Sequence, residues 1–308
     1  EAEIAASRKA LAEAKEAYEA GKKASAAFKK ASEAYSSGDF PTALTEYTFL
    51  AEQGYAPAQY LVGTMYYNGK GVLENYKAAM KWHTLAAVQG YADAQTYLGA
   101  MYEYGEGALE SNKTAVKWYT KAAEQGHSRA QYNLGNMHYN GKGVLENYRT
   151  AAKWYTLSAE QGHSRAQYSL GFMYDNGEGV LENDKTAVLW YTKAAEQGYA
   201  DAQYNLGLMY DAGKGVLEND KTAVIWYTKA AIQGYAAAQT NLGFMLRNGR
   251  GILTDYKRAY MWYNIGAYNG NTIGADNKVN ITKIMTPTQI DTAQDMSNRC
   301  LESNYTDC

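Results

Sequence analysis

Proline is almost missing from this chain, with three in 308 residues, so nothing in the composition interrupts long helices. Cysteine is scarcer still: Cys300 and Cys308 are the whole supply, and no disulfide framework can hold the body of the protein. The four histidines, His83, His127, His138 and His163, lie far from both cysteines and show no metal-ligand spacing. Lys and Arg total 30 against 32 for Asp and Glu, a net charge of −2, so the phosphate-neutralising surface of a nucleic-acid binder is lacking. No apolar run approaches the ~20 residues needed to cross a bilayer. No secretory apolar region opens the chain, which starts at Glu1, and the expectation is that any leader has been removed. Apolar residues still make up 46%, enough to bury a core. The one excess is tyrosine, with 30 copies.

The order of these residues is periodic. Trp82, Trp118, Trp154, Trp190, Trp226 and Trp262 recur every 36 positions. Gly63, Gly99, Gly135, Gly171, Gly207 and Gly243 keep the same step, as do the paired glycines that begin with Gly69 and Gly71. Six units therefore fill residues 55–270 without an insertion. Each unit reads as two helices. Ala130, Leu134, Gly135 and Met137 share one face of the first, and the glycine within it implies a close helix approach, since glycine there costs about 1 kcal/mol relative to alanine. The Gly-x-Gly loop supplies positive φ for the turn. The second helix is predicted over Tyr148 to Glu160, closed by Gln161-Gly162. Helix, loop, helix and tight turn, repeated, make an all-α solenoid.

These motifs resemble the Sel1-like repeats, relatives of the tetratricopeptide repeats. The fifth unit shows the pattern in Ala200-Asp-Ala-Gln-Tyr-Asn-Leu-Gly-Leu-Met-Tyr210, Gly213-Lys-Gly-Val216 and Ala223-Val-Ile-Trp-Tyr-Thr-Lys-Ala-Ala-Ile-Gln-Gly234. The resemblance covers about two thirds of the chain. It implies a right-handed α-solenoid with a role in protein–protein interaction, often in bacteria, and no catalytic residue.

The ends differ from the units. Residues 1–23 are dominated by Ala, Glu and Lys and read as a capping helix or as an engineered or fused one. Residues 24–54 read as a degenerate tetratricopeptide-like first unit, with Glu46 where later units place Trp. Residues 271–308 read as C-terminal capping helices. There Thr286-Pro-Thr-Gln289 has the form of a capping box opening a helix at 287. Cys300 and Cys308 are close enough in sequence to close a small loop, which would suit an oxidising compartment such as a bacterial periplasm or a secreted protein; two free thiols in the cytoplasm are the alternative.

No catalytic constellation emerges, and neither a cofactor nor a metal is expected. The Gly-x-Gly loops follow helices, lack a Lys-Ser/Thr pair and recur in every unit, so they are not phosphate cradles. The glutamines Gln59, Gln95, Gln131, Gln167, Gln203 and Gln239 read as structural donors to backbone carbonyls, and the Trp column as structural packing.

Positions that vary among the copies are freed from holding the fold. In the first helices they form one face, and in tetratricopeptide-like solenoids first helices line the concave side. The candidate partner-binding residues are Tyr67, Tyr97, Asn133, Asn136, Tyr139, Phe172, Asp175, Asn205, Leu208, Asp211, Asn241, Phe244 and Arg247. On the second helices a lysine column turns into Leu189, Ile225 and Met261, and Ile232 replaces a glutamate. Those four form a candidate homo-oligomer patch, unless C-terminal helices cover its last member. The expected function is a non-catalytic scaffold binding a protein or peptide along the groove. The alternatives are a structural or engineered building block with no natural ligand, and a periplasmic cell-envelope accessory.

Overall fold

The structure is a computed structural model that describes residue 21 and residues 23–308. The segment 1–23, with the fused-helix reading, lies outside the described residues apart from Gly21 and Lys23. Among the described residues every regular element is helical. Helix α1 spans 23–37 and α2 spans Phe40–Glu52. The six expected pairs follow. They are α3 (Ala56–Asn68) with α4 (Tyr76–Val88), α5 (Ala92–Tyr104) with α6 (Asn112–Glu124), and α7 (Ser128–Asn140) with α8 (Tyr148–Glu160). Then come α9 (Ser164–Asn176) with α10 (Asp184–Glu196), α11 (Ala200–Ala212) with α12 (Asp220–Ala231), and α13 (Ala236–Asn248) with α14 (Tyr256–Tyr268). Helices α15 (Thr272–Thr282) and α16 (Pro287–Glu302) finish the chain.

Helix boundaries follow from local chemistry. Asn75, Ser111, Asn147, Asn183, Asn219 and Asp255 each cap a second helix by accepting a backbone amide three residues on. His127 and His163 cap α7 and α9 in the same way through Nδ1, which gives these histidines a structural task. First helices end on a left-handed glycine such as Gly213, at φ 66°. Thr286 and Gln289 form the expected capping box on α16.

Two compact units divide the chain, Glu1–Glu146 and Asn147–Cys308. Within each, a first helix packs on its own second helix and on the second helix before it. The mid-helix glycines permit this. A methyl added to Gly207 would stand 2.6 Å from the Tyr227 ring, and one on Gly99 would stand 2.6 Å from Tyr119. The second loop glycine touches backbone instead: a methyl on Gly215 would lie 2.5 Å from the Asp184 carbonyl oxygen, at the start of the preceding second helix.

The buried glutamines join each repeat to the one before. Gln203 donates from Nε2 to the Ala195 carbonyl at 3.1 Å, one of the orphan acceptors at the end of α10. Gln233, at the end of α12, donates in turn to Gln203 Oε1 at 2.7 Å. The first unit repeats this with Gln95, Ala87 and Gln125. At the end of the array Asn269 takes over, donating to Gln239 at 2.9 Å.

The C-terminal cap corrects one expectation. Met261 is not part of an exposed patch. It is 1% exposed, because α15 and α16 lay Ile281, Met285, Ala293 and Cys300 over α14. Without a seventh repeat, those helices supply the apolar cover that the last unit needs. Cys300 and Cys308 are joined in a disulfide, with Cα atoms 4.9 Å apart.

Candidate functional site

Residues of the candidate stripe fall in both compact units. In the first, Tyr67 donates from its hydroxyl to Glu106 Oε2 at 2.8 Å, and burial holds its phenol well above the ordinary range. Tyr97 stacks on the His83 ring at 5.2 Å, and the Arg129 guanidinium lies 5.5 Å from the Tyr97 ring. Asn133, Asn136 and Tyr139 are half-buried along α7.

In the second unit the stripe is partly occupied by contacts within the fold. Tyr191 and Tyr227, the rings beneath the mid-helix glycines, donate to Asp175 at 3.3 Å and to Asp211 at 3.1 Å. Burial pushes both phenols up, and the neighbouring carboxylates add to this. The Asn205 side chain opposes the rise of the Tyr168 and Tyr191 phenols, and Asn241 that of Tyr204 and Tyr227. Tyr168 is pushed up to about 12, chiefly by burial. Each aspartate also meets a cation from the next loop. Lys214 Nζ lies 2.5 Å from Asp175 and 3.2 Å from Asp184. Arg250 Nη2 lies 2.8 Å from Asp211 and 2.6 Å from Asp220. Hydrogen bonding to these carboxylates raises both cations above their ordinary pKa values. Asp175 and Asp211 are therefore members of an internal polar network. Arg247 takes the corresponding place beside the buried Tyr263 and opposes the rise of its phenol.

The apolar members of the stripe are more open. Leu208 is 36% and Phe244 43% exposed, whereas Phe172 is half-buried against the core of α10 and α11. Beside Leu208 lies a cleft of about 350 Å³ lined also by Asp175, Asn205, Met209, Asp211, Ala212, Lys214 and Arg250. An apolar side chain thus stands among fixed charges of both signs. On the second helices Leu189 and Ile225 are 52% and 54% exposed, and Ile232 is also exposed.

Three features escaped the sequence reading. Lys214 and Arg250 belong to a loop column whose character complements the stripe one repeat earlier: Tyr67 with Glu106, Asp175 with Lys214, Asp211 with Arg250. Comparing the copies at an offset of 39 residues would have found it. The leucines that follow the Gly-x-Gly motif, from Leu73 to Leu253, are 88–91% exposed in all six copies, so recurrence here does not mean burial. His83 is fully buried where the other five copies have tyrosine, and neither ring nitrogen has a hydrogen-bond partner among the described residues.

Among the described residues no cluster of His, Cys, Asp or Glu could hold a metal ion, and no helix is long and apolar enough to cross a membrane. Stacked helix pairs, each leaning on the next through glycine contacts and glutamine bridges, define an α-solenoid repeat protein. The chain belongs to the Sel1 repeat family, whose pattern matches residues 56–91, 92–127, 128–163, 164–199, 200–235 and 236–271. A Sel1 repeat protein from Oxalobacter formigenes is 34% identical, with a TM-score of 0.70 over 78% of this chain and 96% of that one. A protective antigen present in uropathogenic Escherichia coli strains, itself displaying the Sel1-like repeat fold, is 26% identical, with a TM-score of 0.51 over 96% of both chains. Among curated proteins no relative matches. Sel1 repeats commonly mediate protein–protein interaction, and the family is generally non-catalytic.

Proposed function

We propose that the chain is a non-catalytic scaffold that binds a protein or extended peptide on the stripe formed by its first helices. The supporting observation is that Leu208 and Phe244 are both exposed on the stripe, and that Leu208 lines the 350 Å³ cleft together with Asp175, Asp211, Lys214 and Arg250. A folded surface exposes large apolar side chains beside oriented charges where a partner can desolvate them. The charges are held by internal partners, so they are preorganised, and binding need not freeze long side chains. The disulfide at Cys300–Cys308 and the bacterial relatives support a bacterial periplasmic or secreted location.

Peptides selected from a display library on the intact chain test this reading. The double variant Leu208→Ala, Phe244→Ala is expected to weaken them at least about tenfold, since hot-spot truncations cost more than about 1 kcal/mol. Its thermal midpoint should stay close to that of the parent. Selected peptides that bind parent and variant equally would remove the stripe as the site. A second reading, self-association through Leu189, Ile225 and Ile232, rests on their exposure. Light scattering that returns a monomer for both the parent and a Leu189→Lys, Ile225→Lys variant would dismiss it.

A further inference from the structure

A second cleft, sharing no residue with the first, lies at the C-terminal end of the array. It measures about 490 Å³, within the range of small-molecule sites. Leu242, Leu246 and Trp262 form a buried floor, and Ile252 lines one side. Ile232, Arg258, Tyr305, Thr306 and Cys308 make the rim.

The internal repeat explains why space exists there. Leu246 stands in a column that reads Tyr66, Tyr102, His138, Tyr174 and Tyr210 in the five earlier copies. In the fifth copy Tyr210 packs against the same core as Val216 and Trp226, the counterparts of Ile252 and Trp262. Every earlier unit thus places a ring of its own in this position, and the last unit alone supplies an aliphatic chain. Ile232 alters the rim in the same sense, because it replaces the glutamates Glu124, Glu160 and Glu196 of its column and removes a carboxylate.

The opposite wall comes from the disulfide-closed tail. The Tyr305 hydroxyl is bonded to the Asn269 side-chain amide at 2.9 Å, which ties the tail to the last bridge of the glutamine series. Arg258 supplies the charge. It is more than half exposed, and among the described residues its one carboxylate contact, Asp255 on the same turn, is loose at 3.9 Å. The guanidinium therefore keeps donors for an incoming anion.

We propose that this cleft binds an aromatic ring carrying a carboxylate, with the ring in the place of the missing tyrosine and the carboxylate on Arg258. The chemistry suits a free aryl-alkanoic acid and equally the carboxyl-terminal Phe or Tyr of a peptide.

Isothermal titration of the intact, oxidised chain tests the assignment. The probes are 3-phenylpropanoate, its neutral amide, hexanoate and the peptide acetyl-Gly-Gly-Phe. Saturable binding of 3-phenylpropanoate with a Kd of about 1 mM or tighter is expected, with hexanoate and the amide weaker by about tenfold. Leu246→Tyr restores the column and should abolish binding. Arg258→Gln, an exposed change that leaves the fold alone, should reduce the acid to the affinity of the amide. If the peptide binds as well as the free acid, the site takes carboxyl-terminal aromatic residues; if only the free acid binds, it takes a small molecule. Absence of saturable binding to the parent, or equal affinity in Leu246→Tyr or in Arg258→Gln, would overturn the proposal.

Discussion

The first repeat and the fifth fill one position with different chemistry. In α11 and α12, Gly207 clears space for Tyr227, whose hydroxyl leaves the core by donating to Asp211. In α3 and α4, Gly63 clears space for His83, and the residue that corresponds to Asp211 is Tyr67. A buried tyrosine can send its hydroxyl out to an acceptor. A buried imidazole lodged between Tyr60 and Tyr97 has no such partner. The lesson is that the acid follows the phenol and not the reverse: Glu103, Asp175 and Asp211 accept from Tyr119, Tyr191 and Tyr227, while the third and sixth copies keep the tyrosine and carry Tyr139 and Arg247 instead.

Truncation should separate the two repeats most. Tyr227→Ala is expected to lower stability by about 3–5 kcal/mol, since it opens a cavity and removes the hydroxyl that donates to Asp211. His83→Ala should lose clearly less, because it also removes two unpaired polar atoms. Urea unfolding of both variants compares them, and equal losses would break the distinction.

Acid should reveal the first repeat next. Burial lowers His83 to about 4 from an ordinary 6.5. The unfolded chain therefore binds the proton first, and stability falls as pH drops from about 6.5 towards 4, by up to about 3 kcal/mol in all. Stability curves at successive pH values should show this slope in the parent, and His83→Phe should remove that component. An unchanged slope in the variant would mean that His83 is not the source.

The glycines sharpen the same comparison. Gly207→Ala should cost about 1–3 kcal/mol through overpacking against Tyr227, despite the gain in helix propensity. Gly63→Ala meets the His83 ring at 2.9 Å rather than 2.6 Å and should cost less. Thermal midpoints rank the pair. The smallest effect belongs to the loop cations: Lys214→Met, on a partly exposed ion pair, should lose about 0.2–1 kcal/mol and less at high salt.

Much of this was legible before any coordinates. A period of 36 with glycine, glutamine and tryptophan in register defines the unit, and Asn147 with Gln161-Gly162 marks the ends of α8. The capping box at Thr286 was equally plain, because caps are local contacts within a few residues. The stripe was harder. Variation between copies reads as freedom from structural duty, yet Asp175 and Asp211 are held by a recurrent tyrosine 16 residues on and by a loop cation 39 residues on that differs from copy to copy. The exposed leucines after the Gly-x-Gly loops show the converse, repetition without burial.

The sequence by itself determined the helix pair, its period and its termini, because each of these depends on neighbours in the chain and on the 3.6-residue turn. Only the tertiary structure decided which side chains are free. Met261 was hidden by a helix that begins some 26 residues later, Leu208 was left in the open, and the aspartates were claimed by the next loop. Exposure depends on what packs against a residue from elsewhere in the chain, and no local pattern records that.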